Sequence, residues 1–207
     1  MKLDDIRYGN PVENALDDLR RFLEMGYDPL AVRKANLIPP YPANGSAETR
    51  DELTYLYELQ EIERPYMERI IRAADEDLLG VFLDMCAEWQ LEAYEEEATE
   101  EILKWGALSG VLKIHYNRAR PYQLAPHYGI SLFPMTSISA WSASYPSGHT
   151  MQAEALARFY GAKYPELSDE FADVAKAISH TRLVGGYHFP SDIRASEGLV
   201  ELLWGRL

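Results

Sequence analysis

Apolar residues recur three and four positions apart from Leu16 to Met25, Leu53 to Ile71, Leu78 to Trp89 and Ile102 to Tyr116. The same spacing returns from Thr150 to Tyr164, Leu167 to Leu183 and Ser191 to Leu203. It lines the apolar side chains along one face of an α-helix. No segment sustains a two-residue alternation, so the chain is predicted to be all-α, a single-domain helical bundle. Pro39, Pro40 and Pro42 with Gly45 make an extended linker, and Ser46 ahead of Ala47-Glu48-Thr49 reads as a helix cap. The spacing therefore predicts an N-terminal helix and Pro-rich linker over 1–45 and a helical core over 46–207. The longest irregular stretch, Pro121 to Pro146, carries Tyr122, Tyr128, Phe133, Trp141 and Tyr145. A loop of this length and composition is expected to wall a pocket.

Composition narrows the classes. A chain of 207 residues is long enough for one substantial core. With 47% hydrophobic and 26% charged residues it falls outside the disordered, collagenous and disulfide-scaffold compositions. The net charge of −13 excludes a nucleic-acid partner, which needs a basic face, and disfavours anionic membrane surfaces. The single cysteine, Cys86, lies in an apolar stretch and is expected to be buried, with no internal disulfide. The acidic run Glu92 to Glu101 reads as a solvated helix face rather than a metal site, because no histidine accompanies it. The first ten residues lack the basic start and apolar core of a signal peptide, and no apolar run reaches membrane-spanning length. As written, the chain is expected to be cytoplasmic without membrane insertion, or periplasmic if a signal has been removed; a homo-oligomer is compatible with the sequence.

Within so acidic a chain, clustered cations carry weight. Lys113 is followed by Arg120-Pro121; then come Pro146-Ser147-Gly148-His149; then Arg182, His188 and Asp192. Arg120 and Arg182 offer planar forks that fit phosphate oxygens, and Lys113 adds a point charge. Ser147 and Gly148 precede a helix, where free backbone N–H groups and the positive end of the helix dipole favour an anion. Pro190 is placed to start the next helix, so Asp192 can reach back and hold one nitrogen of His188 protonated while the other attacks phosphorus. His149 is the second histidine, placed to protonate the departing oxygen. No metal is required by this set. His115, His127 and His180 are given no catalytic role; His127, in the long loop, is the one best placed to touch a substrate, and His180 is read as packing.

The order K-x6-R-P, P-S-G-H and R-x5-H-x3-D resembles the signature of the type 2 phosphatidic acid phosphatase superfamily, which also holds the vanadium haloperoxidases. Leu37 to Ser46, Tyr145 to Thr150 and the short chain look most like the bacterial class A non-specific acid phosphatases. The resemblance implies an all-α bundle in which Lys113, Arg120, Ser147, Gly148, His149 and Arg182 contact phosphate and His188, oriented by Asp192, is the nucleophile. Thr181 stands where the pattern usually has serine, which keeps a hydroxyl. The function expected is a metal-independent phosphomonoesterase acting on small soluble phosphate esters, without a cofactor and inhibited by vanadate; a vanadate-dependent haloperoxidase is the alternative. Lipid phosphates fit less well, because relatives that act on them usually carry membrane helices.

Overall fold

Ser46 begins the first long helix as its side chain predicts, its hydroxyl accepting the Thr49 N–H at 3.1 Å. The computed structural model describes residues 2–9, 20, 23–26 and 38–206. Helix α1 runs Ala47–Glu76 and passes through Pro65. Asp77 ends it and caps the next, its carboxylate taking the Gly80 N–H at 2.8 Å, so that α2 follows at once over Leu78–Glu88. Helix α3 spans Glu95–Tyr116 and stops at Asn117, which adopts a left-handed conformation that asparagine tolerates. An extended stretch through Arg118 and Ala119 leads to a short helix, α4, Pro121–Leu124, and a 3-10 turn, Ala125–Tyr128. After an irregular segment come α5, Gly148–Lys163, then α6, Ser168–Val184, and α7, Pro190–Leu203.

The expected helices from α1 onward are present, and no strand occurs among the described residues. Two expectations are refined. Helix α3 starts at Glu95, ahead of the apolar period that begins at Ile102, and so takes in most of the acidic run read as a solvated helix face; its glutamates suit the positive helix terminus while offering no apolar period. The stretch from Pro121 is not wholly irregular, because Pro121 presets the first helical position of α4. The helix expected over Leu16 to Met25 lies largely outside the described residues.

Helix α5 sits at the centre, against α3, α6 and α7, with α1 laid on α6. On one side Trp105, Leu108, Met151, Ala155, Leu199 and Val200 form a core closed by Ile38 and Tyr145. On the other, Phe82 from α2, Tyr160 from α5 and Phe171 from α6 stack with ring centroids 5.9 and 5.1 Å apart. Cys86 is buried in this second cluster. Burying side chains of this size contributes about 1.5–3 kcal/mol each, which makes these two layers the main hold on α5. No described helix is long and apolar enough to cross a membrane.

Candidate active site

The end of α3, the Arg118–Arg120 stretch, the start of α5, the end of α6 and the segment before α7 converge on a cavity of about 270 Å³. Lys113, Arg120, Gly148, His149, Arg182 and His188 all line it, with Ser109, Ser139, Ser142 and Gln152. Residues more than seventy positions apart in the chain therefore share one wall.

Each cation is aimed by backbone or carboxylate oxygens. Lys113 Nζ donates to the Ala143 carbonyl at 2.7 Å. Arg120 donates through Nε to the Ser142 carbonyl at 2.8 Å and through Nη1 to the Tyr187 carbonyl at 2.7 Å. Burial, and then the neighbouring Arg182 charge, lower its pKa to about 10, so it stays cationic at neutral pH. Arg182, in the last turn of α6, donates to Asp75 Oδ1 at 2.8 Å and to Ser139 Oγ at 3.2 Å, and lies over the Tyr187 ring. Asp75 also accepts from the Ser137 and Ser139 hydroxyls and the Ile138 N–H, tying α1 to the loop at the cavity rim.

The tautomer of His188 follows from its partners. Nε2 lies 3.0 Å from Arg120 Nη1, and a guanidinium only donates, so Nε2 is the bare nitrogen. The proton then sits on Nδ1, 3.3 Å from Asp192 Oδ2. Asp192 is placed by the start of α7: Pro190 opens the helix and Asp192 Oδ2 takes the Phe189 N–H at 2.9 Å. Ser144 Oγ donates to the same oxygen, and Arg118 Nη1 donates to Oδ1 at 2.6 Å. Burial alone would raise the Asp192 pKa, but the Arg118 charge and these hydrogen bonds outweigh it and hold it at about 2.

Both histidines are held neutral. Burial, reinforced by the Arg120 and Lys113 charges, pushes His188 well below its ordinary 6.5 against the pull of Asp192. Burial and the Arg182 charge do the same to His149, with Lys113 and Arg120 adding to them and Asp75 opposing. A bare imidazole nitrogen, a second neutral imidazole and three cations around a small space form a receptor for an anion that accepts or donates protons.

One residue expected to contact phosphate stands outside the wall. Ser147 does not line the cavity: it caps α5, its hydroxyl accepting from the Thr150 N–H at 3.3 Å and the Thr150 hydroxyl at 3.0 Å, while its own N–H goes to Ser196 Oγ at 2.8 Å. Its side chain thus accepts two hydrogen bonds from the helix start. Asp192 stands behind His188, with Oδ2 3.3 Å from Nδ1. Gly148 does line the cavity, and its lack of a side chain matters, since a Cβ there would come within 2.7 Å of Ser109 Oγ.

His115 and His127 are exposed and do not line the cavity. His180 is not a packing residue: its Nε2 is 2.6 Å from Glu63 Oε2 at the surface, because the helix turns that position outward toward α1. Sequence reading missed Asp75, Arg118, Glu52 and Ser191. Only Arg118, two residues ahead of Arg120, carried a local signal; the carboxylates of α1 look like any other acid on a charged helix. Among the described residues no group of three His, Cys, Asp or Glu side chains is arranged to hold a metal ion.

Residues 90 in length are 32% identical to a lipid A 1-phosphatase of Rhizobium johnstonii and 31% identical to one of Rhizobium etli, in each case 44% of this chain. The matched part is 36% and 38% of those proteins, so the chain matches little more than a third of their length. A transmembrane PAP2 type phosphatidylglycerolphosphate phosphatase from Bacillus subtilis superposes with a TM-score of 0.51 over 95% of this chain and 93% of its own, at 19% identity, a likeness of fold alone. The model of the PAP2 superfamily matches residues 102–200. That match begins in α3 and ends in α7, and so takes in every segment from which the cavity draws a cation or a histidine: over this stretch the chain is similar to the PAP2 superfamily.

Proposed function

We propose that the protein is a phosphomonoesterase that passes the phosphoryl group of its substrate to Nε2 of His188 and then to water. The observation that carries this reading is the His188 ring, with its bare Nε2 turned to a cavity of three cations and its Nδ1–H turned to Asp192. An entering phosphate ester meets Lys113, Arg120 and Arg182 together with the first N–H groups of α5, donors fixed before the reaction begins. Arg120 then exchanges its contact with Nε2 for one with a phosphate oxygen, which frees the lone pair. The Nε2–P bond forms as the ester P–O bond breaks, and the leaving oxygen takes a proton from His149, which has first received it from the bound monoanionic ester. The ring keeps its Nδ1 proton and becomes cationic, balanced by the Asp192 carboxylate. Water then attacks phosphorus, neutral His149 takes its proton, and the P–N pair returns to Nε2 as inorganic phosphate leaves. An alcohol in place of water gives phosphotransfer.

The small cavity and the motif likeness to class A acid phosphatases support a small ester as substrate. A lipid-borne phosphate is the second reading. It is supported by the names of the relatives and by Phe133, Ile138 and Trp141, two-thirds exposed on the segment that supplies Ser139 and Ser142 to the cavity wall. Hydrolysis of p-nitrophenyl phosphate near about pH 6 with EDTA present tests the chemistry. We expect turnover that vanadate blocks and that falls by about 10⁴-fold or more in His188→Ala. Wild-type rates in that variant would overturn the reading; an inert wild type that brominates a reporter with vanadate and peroxide would replace it with a haloperoxidase. Glycerol phosphate against phosphatidic acid in mixed micelles then decides the leaving group.

A further inference from the structure

We infer that Arg118 is a positioning residue for the chemistry of His188, acting through Asp192 and itself clamped by Glu52 and Ser191; this rests on the phosphatase reading above. Arg118 is fully buried and is not part of the cavity wall. Its Nη1 donates to Asp192 Oδ1 at 2.6 Å and to Ser191 Oγ at 2.7 Å, and its Nη2 lies 3.5 Å from Glu52 Oε2. Glu52 reaches across from α1 to accept the Ser191 N–H at 2.6 Å and the Ser191 hydroxyl at 2.8 Å, which anchors the first turn of α7 as well as the arginine. The guanidinium plane rests on the Phe189 ring, 3.8 Å from its centroid, with the Tyr41 ring 5.0 Å away.

This arrangement divides the two oxygens of Asp192. Oδ1 belongs to Arg118, so Oδ2 is left for His188, Phe189 and Ser144. The His188 contact is the longest of the four, at 3.3 Å, and a small rotation of the carboxylate would lose it. The guanidinium that holds Oδ1 is itself fixed by Ser191 on Nη1, by Glu52 on Nη2 and by the Phe189 ring, so it resists that rotation as a freely turning ammonium would not. The charge balance points the same way. Glu52 is paired with Arg118 inside and with the exposed Arg194 outside, at 3.3 Å, so the Asp192 carboxylate faces the one positive charge the ring gains when Nε2 takes the phosphoryl group and Nδ1 keeps its proton. Arg118 is also the leading influence that lowers the Asp192 pKa.

The variants Arg118→Met, Arg118→Lys and Glu52→Gln test this on p-nitrophenyl phosphate and on vanadate inhibition. We expect kcat to fall about ten- to a hundredfold in Arg118→Met, with KM and the vanadate inhibition constant unchanged, and to recover partly in Arg118→Lys. Independently of turnover, ¹⁵N NMR of the histidines in the resting protein should report His188 as the Nδ1–H tautomer in wild type and as a mixture in Arg118→Met. If that variant does not fold, Arg118→Lys and Glu52→Gln carry the same two readouts in milder form. An unchanged kcat, or a lower kcat accompanied by weaker vanadate binding and an unchanged tautomer, would overturn the inference. A shifted tautomer in a protein whose wild type hydrolyses no ester would uphold the clamp and remove the phosphatase reading instead.

Discussion

At the scale of single residues, the proton inventory of the cavity decides the pH behaviour. His188 and His149 are both held below their ordinary 6.5, so the resting site has a nucleophile ready and an acid without its proton. The missing proton can arrive with the substrate, because a phosphate monoester loses its second proton near about pH 6. Once bound, the phosphoryl charge offsets Arg182, Lys113 and Arg120, and His149 is the base that takes the proton over. As pH rises through the ester's second pKa the productive monoanion disappears and kcat/KM falls. As pH drops through the depressed histidine pKa, Nε2 is protonated and kcat/KM falls again. The profile should be a bell with a mildly acidic optimum, and its alkaline limb should move when an ester of different second pKa is used; a rate that climbs steadily beyond about pH 8 would contradict the assignment. At this scale the cations and histidines were legible in the sequence because their spacing is local. The capping role of Ser147 was not, since a serine ahead of Gly-His-Thr looks the same whether it caps a helix or holds a phosphate. Glu52, Asp75 and Arg118 gain their meaning only from partners in other segments, Ser191, Arg182 and Asp192.

At the scale of elements, helix periodicity read the cores of α1, α2, α3, α5, α6 and α7, because one face of each is buried and one is wet. Ends were legible only where chemistry marks them, as at Ser46 and Pro190. The glutamate-rich start of α3 was legible only as a charged helix face without an apolar period, and the single turn of α4 carries no period and was missed. What fastens these helices together is testable away from the cavity. Phe82 is fully buried between Tyr160 and Phe171, so Phe82→Ala should cost about 3–5 kcal/mol in urea unfolding. The folded fraction should retain its turnover number, since Phe82 is not among the cavity's lining residues.

At the scale of the whole molecule, the site stores ionisation differences that fold and unfold with it. Both histidines have folded pKa values below their unfolded 6.5, so their contribution to stability is complete above that pH and is lost as pH falls toward the folded values. Asp192 and Asp75, each held near about 2 against an ordinary 3.8, add a second loss below about pH 4. The melting temperature should therefore decline in two stages on acidification, and inorganic phosphate should restore part of the first stage by binding only the folded cavity. A melting temperature that stays flat from about pH 7 to 5 would show that the histidines are not held as described.

The same cavity lies inside a chain of net charge −13. An anionic ester thus approaches a surface that repels it before it reaches the arginines that hold it. Dissolved salt shortens the reach of that repulsion to about 10 Å at 0.1 M, while the short contacts inside are shielded much less. We expect kcat/KM for p-nitrophenyl phosphate to rise, not fall, as potassium chloride is raised from about 10 to 100 mM, the reverse of an enzyme whose exterior draws its substrate in. For this protein the ionic strength of the surroundings would govern arrival and leave grip to the buried cations.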